Sequence, residues 1–313
     1  MCQKTQKVVF YLISSTESRV GTIGLIGVGT MGKCMLERLI SNGYNVAAYD
    51  VFAAATEYAK EKGATVASSP KEVAQKARII IMSLPAAKQV FDVIEGENGL
   101  LDVLTEDHII VDTSTVSPQT SQKGSDIVSV KGAGYVDAPI LGRPSAVGNW
   151  LMPTGGNIGV IEYVTPVLLS FAKNVVRVGN IGSGNALKLL NQLMFSVING
   201  ISAEVMALTE IVGIDKKAFY DAISNSNAAT VSGLFKETAG RIVEEEYDNP
   251  TFTIELLCKD AGLGIQMAKD FGVTPLIAGY VQILNENAKN KGLAKKDTSA
   301  LTKVFSDYYS KFD

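Results

Sequence analysis

Gly179–Ser202 reads GNIGSGNALKLLNQLMFSVINGIS, and two kinds of sequence meet in it. A glycine-rich turn (Gly179, Gly182, Gly184) closes a region of short apolar runs. A long, mostly apolar helical run then begins and continues to about Gly213. One turn into that run stands a single cation, Lys188, among Leu187, Leu189, Leu190, Leu193, Met194, Phe195, Val197 and Ile198. A helix apolar on most sides is expected to be buried. An ammonium buried there must be paired, neutralised or used. At helical spacing Lys188 shares its face with Asn191 and Gln192, and the polar stripe continues through Ser196, Asn199 and Ser202. Taken alone, a lysine that snorkels to the surface from the first turn is the better account. The rest of the chain shifts that balance.

Upstream, Thr22–Val28 (TIGLIGV) is a short apolar run ending in glycines. Thr30–Ile40 has helical spacing, Asn42-Gly43 stops it, and Tyr44–Asp50 is the next strand. Between strand and helix lies Gly27-Val28-Gly29-Thr30-Met31-Gly32. In that position a G-x-G-x-x-G turn is a dinucleotide-binding signature. Gly27 allows the tight turn, Gly29 lets the backbone approach a pyrophosphate, and Gly32 lets the helix pack on the strand. The helix N-terminus, with Thr30 and Met31, then offers unpaired N–H groups to phosphate. Asp50 closes the following strand, where a carboxylate accepts the ribose hydroxyls of NAD and repels the 2′-phosphate of NADP. No arginine follows in Val51-Phe52-Ala53, so NAD is favoured over NADP. The alternative for Asp50 is a cap for the helix from Ala53.

The alternation continues through a helix at Pro70–Lys76, a continuous apolar strand at Arg78–Leu84 and a helix at Gln89–Ile94. Further strands follow at Ile109–Val111, Tyr135–Leu141 and Leu151–Met152. Such alternation implies a doubly wound sheet, whose ligands lie at the carboxyl ends of the strands. Leu84-Pro85 and Ser114-Thr115 are thus expected to line the cofactor crevice. The only histidine, His108, falls at the opposite end of its strand and is expected to be a surface residue. That leaves a lysine as the proton-transfer group. Downstream, Lys216–Asn225, Val231–Glu245, Thr253–Phe271, Pro275–Lys291 and Ser299–Tyr309 read as helices with no strand pattern. The fold expected is an α/β Rossmann-type domain over 21–183 and an all-α domain over 184–313, joined by a long helix, with residues 1–20 as an extension. Several downstream helices are apolar on more than one face, which points to burial against a second subunit.

The 313 residues suffice for two cores. A net charge of −3 shows no basic surplus and argues against nucleic acid as a partner. Cys2, Cys34 and Cys258 are far apart, fit a reducing compartment such as the cytoplasm, and match no metal-site spacing. No apolar run is expected to approach the roughly 20 residues of a membrane span.

The chain resembles the β-hydroxyacid dehydrogenase family, which includes 3-hydroxyisobutyrate dehydrogenase and the nucleotide domain of 6-phosphogluconate dehydrogenase. The resemblance rests on GLIGVGTMGKCM, Asp137-Ala138-Pro139, Gly182-x-Gly184-x-x-x-Lys188 with an amide one turn on, Lys259-Asp260-Ala-Gly-Leu-Gly, and Asp297-Thr-Ser-Ala-Leu, and covers Thr22 to Leu301. It implies hydride transfer between NAD(P) and a 3-hydroxy acid or its semialdehyde, with Lys188 acting on the hydroxyl proton. It also implies Lys259 near nicotinamide and substrate, and a homodimer or homotetramer through the helical domain. The sequence departs from the family pattern twice. Gln192 stands where the family has asparagine, so Asn191 is a candidate to share its role. The family's D-A-P-V-S-G-G becomes Asp137-Ala-Pro-Ile-Leu141-Gly142-Arg143, which loses a serine hydroxyl and gains a planar cation suited to carboxylate or sulfonate. Arg143 is read either as a clamp for the anion of a small substrate or as an arginine facing solvent or paired with Asp137. An imine reductase and a non-catalytic dinucleotide-binding protein are the alternatives; Lys188 argues against the first, whose members usually replace that lysine, and an intact Lys188, glycine turn and Asp50 argue against the second.

Overall fold

The computed structural model describes residues 9–10, 21–228 and 230–309. Apart from Val9–Phe10, the expected N-terminal extension lies outside the described residues. The chain divides into two compact units, Met1–Lys188 and Leu189–Asp313.

The first unit holds a nine-stranded sheet. Its strands are β1 (Val9–Phe10), β2 (Ile23–Ile26), β3 (Val46–Tyr49), β4 (Thr65–Val66), β5 (Ile79–Met82), β6 (Ile109–Asp112), β7 (Gly134–Asp137), β8 (Trp150–Gly156) and β9 (Ala172–Gly179). Helices α1 (Thr30–Ser41), α2 (Ala53–Glu61), α3 (Pro70–Lys76), α4 (Ala87–Glu95), α5 (Pro118–Ser129) and α6 (Ile158–Leu168) alternate with them. The order across the sheet is β1-β9-β8-β7-β6-β5-β2-β3-β4, and β2 to β7 run parallel. Strand order reverses between β2 and β5, which makes the carboxyl ends of those strands the switch point where doubly wound folds take ligands. Alternate residues of the central strands feed separate cores. Ile23, Leu25, Ile79, Ile81, Val111 and Val136 pack in one, and Ile26, Ile80, Met82, Ile110 and Tyr135 in the other. A sheet buried on both faces explains why β2 and β5 read as unbroken apolar runs.

Some boundaries differ from expectation. The strand expected at Tyr135–Leu141 ends at Asp137, just before Pro139, which has no N–H to offer a ladder; Leu141 instead forms an isolated antiparallel bridge with Leu151. The expected Leu151–Met152 is the interior of a longer strand, β8. His108 is not a surface residue: it is buried, its Nδ1 accepts from the Thr105 N–H, and Nε2 lies 3.0 Å from the Ala74 carbonyl. The ring closes the amino-terminal end of β6, away from the switch point.

Helix α7 (Ser183–Ile211) starts in the first unit and continues into the second. The second unit adds α8 (Lys216–Ser224), α9 (Gly233–Val243), α10 (Ile254–Asp270), α11 (Leu276–Ala288) and α12 (Thr302–Tyr309). By length and composition alone α7 could cross a membrane, contrary to the expectation that no run approaches that length. Its buried side carries apolar Leu189, Ala203, Met206 and Ala207 together with a polar stripe. Leu190, Met194 and Ile201 are exposed, while Gln192, Ser196, Asn199 and Ser202 are buried. The stripe is buried because its neighbours supply polar partners. Asn285 of α11 donates to Ser196 Oγ, Asn199 Nδ2 donates to the Thr298 carbonyl, and Thr238 of α9 donates to Asn199 Oδ1. Paired in this way, buried polar groups avoid the penalty of desolvation.

A Cβ added at Gly32 would collide with the Gly27 carbonyl oxygen, where α1 packs on the turn after β2. Gly32→Ala is expected to lower the unfolding free energy by about 1–3 kcal/mol, measured in denaturant; an unchanged midpoint would contradict this packing.

Candidate active site

The glycine turn sits at the switch point. Gly27 has φ +94°, and a Cβ there would strike the Ser83 carbonyl oxygen at the end of β5. Gly29, the residue preceding α1, differs: nothing lies within 4 Å of where its Cβ would be. Helices α3, α5, α6, α8, α9 and α10 are each capped by a side chain, from Ser69, Ser117, Asn157, Asp215, Ser232 and Thr253. No side chain caps α1, α2, α4 or α11, and of these α1 is the one that follows the glycine turn. Open space over Gly29 and an uncapped first turn, with Thr30, Met31 and Gly32, fit a pyrophosphate. These residues and Asp50 would hold the dinucleotide.

Asp50 follows β3 and is not the cap of α2. Its Oδ2 accepts from the Val28 N–H at 2.6 Å and its Oδ1 from the Phe52 N–H at 2.9 Å. The carboxylate is thereby fixed against the glycine turn, and each oxygen keeps a lone pair for a ribose hydroxyl. At the next strand ends, the Leu84 N–H donates to Ser114 Oγ at 3.0 Å, which ties the turn before Pro85 to the one before Thr115. Ser114 N–H in turn donates to Asp112 Oδ1.

Asp137, at the end of β7, is fully buried. Its Oδ1 accepts from the Gly182 N–H at 2.7 Å and its Oδ2 from the Asn185 N–H at 2.8 Å, so the carboxylate holds the first turn of α7. Negative charge at a helix N-terminus complements the helix dipole. Glycine is required on both sides of this grip: a Cβ at Gly155 would collide with Asp137 Oδ1, and one at Gly184 would lie 2.7 Å from the Asp137 carbonyl oxygen. Burial pushes the Asp137 carboxyl up to about 6, against the two N–H bonds and with a smaller contribution from the Asp112 charge. Burial also raises Asp112, whose Oδ2 accepts from the Tyr135 phenol at 2.8 Å. Lys188 follows Asn185 by three residues on the helix that Asp137 holds, and is half-buried.

In the second unit, Gln192 of α7 is buried and donates Nε2 to Asp260 Oδ2 of α10 at 2.7 Å. Lys259 Nζ pairs with Asp260 Oδ1 at 3.0 Å. Asp260 therefore fixes the amide of Gln192 with its nitrogen inward, and sets Lys259 at the same point. Asn191 is exposed and donates to Gln192 Oε1 at 3.4 Å. Helices α7 and α10 come close here because Gly264 has no side chain; a Cβ there would lie 3.2 Å from the Leu189 carbonyl.

Leu141, Gly142 and Arg143 form the turn between β7 and β8. Leu141 and Leu151 exchange backbone hydrogen bonds at 2.8 and 3.1 Å. A Cβ at Gly142 would collide with the Trp150 ring, whose Nε1 donates to the Arg143 carbonyl at 2.7 Å. Asp137, the partner considered for Arg143, directs its oxygens at the α7 backbone. Sequence reasoning missed Asn185 and the dual role of Asp260; the G-x-G-x-x-x-K and K-D spacings marked the places without showing the partners.

A family profile described as the NAD-binding domain of 6-phosphogluconate dehydrogenase matches residues 22–179, and one described as NAD-binding of NADP-dependent 3-hydroxyisobutyrate dehydrogenase matches residues 182–305. The chain belongs to the β-hydroxyacid dehydrogenase family. It is 30% identical to 3-sulfolactaldehyde reductase of Escherichia coli over 90% of this chain and 95% of the relative. It is 31% identical to 2-(hydroxymethyl)glutarate dehydrogenase of Eubacterium barkeri over 90% and 94%. Among solved structures, 3-hydroxyisobutyrate dehydrogenase from Salmonella typhimurium superposes with TM-score 0.83 at 26% identity, covering 91% of this chain and all of that one. An imine reductase from Myxococcus stipitatus, at 17% identity and TM-score 0.59, shares the fold. This β-hydroxyacid dehydrogenase family member is an oxidoreductase with an NAD(P)-binding domain.

Because burial disfavours the ionised form of Asp137, the folded protein binds that proton more tightly than the unfolded chain. The group's contribution to stability is present at low pH and is lost as pH rises from about 4 through about 6. Unfolding free energies of the wild type and Asp137→Asn, measured between pH 4 and pH 7.5, test this. The wild-type value minus the variant's should fall across that window; a flat or rising difference would contradict it.

Proposed function

We propose that the protein transfers hydride between NAD and a small 3-hydroxy acid or its semialdehyde, with Lys188 as the group that takes the hydroxyl proton in oxidation and returns it in reduction. The observation that carries the reading is the grip of Asp137 on the first turn of α7, which fixes the backbone from which Lys188 projects. When bound, the nicotinamide supplies the hydride acceptor or donor. The rest is the chain's own work. Lys188 accepts the alcohol proton as the carbonyl forms and returns it in reduction. Gln192, oriented by Asp260, presents its carbonyl oxygen as a hydrogen-bond acceptor, with Asn191 and Lys259 beside it. Asp50 favours NAD over NADP, since its fixed carboxylate would face the extra phosphate.

Arg143 is read as the clamp for the substrate anion, with Leu141 and Gly142 shaping that turn. The names of the relatives carry carboxylates and, in one case, a sulfonate, both matched by a guanidinium fork. The subunit contact is assigned to the helical unit, where Leu190, Met194 and Ile201 of α7 and Leu276, Ile277, Tyr280 and Ile283 of α11 leave apolar surface exposed. A cytoplasmic setting is consistent with the free thiols of Cys34 and Cys258.

A panel of 3-hydroxyisobutyrate, 2-(hydroxymethyl)glutarate and 3-sulfolactaldehyde, assayed with both dinucleotides, tests the activity. NAD is expected to exceed NADP by about tenfold or more in kcat/KM, and Lys188→Ala to lose at least about a hundredfold in kcat while still binding NADH. Wild-type turnover in that variant would remove the assigned role. For Arg143→Ala, a rise in KM of about tenfold or more with kcat nearly unchanged is expected; an unchanged KM would remove the clamp.

A further inference from the structure

We propose that Asn185 is a positioning residue for the reaction: its side-chain amide ties the first turn of α7, and with it Lys188, to the loop after β6. Asn185 is fully buried. Its Oδ1 accepts from the Val116 N–H at 3.2 Å, and its Nδ2 donates to Ser121 Oγ of α5 at 3.0 Å. Its own N–H is the one that Asp137 Oδ2 holds. The residue thus makes three bonds to three different elements: the end of β7, the loop that carries Thr115 and Val116, and α5. The amide has one satisfactory orientation, because a flip would set its NH2 against the Val116 N–H. A side chain so fixed is a rivet rather than a filler.

The consequence concerns Lys188, three residues on, about 4.5 Å further along the helix axis. Asp137 alone fixes where the helix starts, through backbone N–H groups. Asn185 adds a side-chain bond to the residue next to Thr115, at the carboxyl end of β6 on the side of the sheet assigned to the dinucleotide. A helix start free to shift by an ångström would misplace a proton-transfer group enough to cost about a hundredfold in rate. The inference rests on the reading of Lys188 as that group.

The test compares Asn185→Ala, Ser121→Ala and Lys188→Ala in the full chain. It uses whichever of the three panel compounds is turned over fastest, fluorescence titration of NADH, and hydrogen exchange of the ligand-free protein. For Asn185→Ala the expectation is a fall in kcat of about 10–100-fold with KM and NADH affinity changed by less than about threefold. Exchange at residues 185–188 should be about tenfold faster, with β2 unaffected. A kcat within twofold of wild type would overturn the proposal. So would a fall in kcat matched by an equal loss of NADH affinity, since the residue would then only hold the nucleotide pocket together. If Asn185→Ala does not fold, Ser121→Ala decides: a kcat lowered at least threefold with NADH affinity intact supports the proposal, and wild-type kcat overturns it. Lys188→Ala separates the two readings. If it runs at the wild-type rate, the role of the lysine falls and the proposal falls with it. If it is inactive while Asn185→Ala is fully active, only the positioning falls.

Discussion

A buried carboxylate grips the start of a helix, and the proposed chemistry depends on that grip. Asp137 stands at the end of a sheet strand with no access to water, and its oxygens accept from Gly182 and Asn185. The arrangement costs something, as the elevated proton affinity of the carboxyl shows. It is held by geometry: Gly155 and Gly184 leave room for the helix start to descend onto the strand ends. What the chain gains is a helix whose first turn cannot drift, with a lysine one turn along it. The same logic of a carboxylate orienting a neighbour recurs in the second unit, where Asp260 fixes Gln192 and Lys259.

The nucleotide half follows the same economy of parts. The glycine turn is tight at Gly27, open at Gly29 and close-packed at Gly32, and Asp50 braces it from the neighbouring strand. The helix that should face phosphate is among those that no side chain caps, and it alone of these follows the glycine turn at the switch point. An unsatisfied helix start is unfavourable in an empty protein, and it makes sense where an anion completes it.

Much of this was legible in the sequence, for identifiable reasons. The turn Gly27–Gly32, the unbroken apolar strand β5 and the limits of α3 follow from periodicity and from glycine and proline placement, which are local. The helical run from Ser183 was equally plain. Its burial was not. Periodicity found two faces on α7 but could not say which would meet the interior. The polar face does, because Asp260, Asn285, Thr238 and Thr298 arrive from residues 39 to 99 positions away in sequence. The burial of His108 was hidden for a similar reason: the carbonyl of Ala74 that receives its ring lies on α3, far from it in sequence. The partners of Asp137 and Asn185 were likewise invisible. Spacing can mark a residue as unusual, but only the folded chain shows which backbone N–H it was placed to receive.

Lys188, fixed by the Asp137 anchor, is the group proposed to move the proton of the substrate hydroxyl. A crystal structure with NAD and an unreactive hydroxy acid analogue tests it most directly. Lys188 Nζ is expected within about 3 Å of the analogue's hydroxyl oxygen, with the α7 first turn still bound to Asp137. A lysine side chain extended into bulk solvent, away from the dinucleotide, would contradict it.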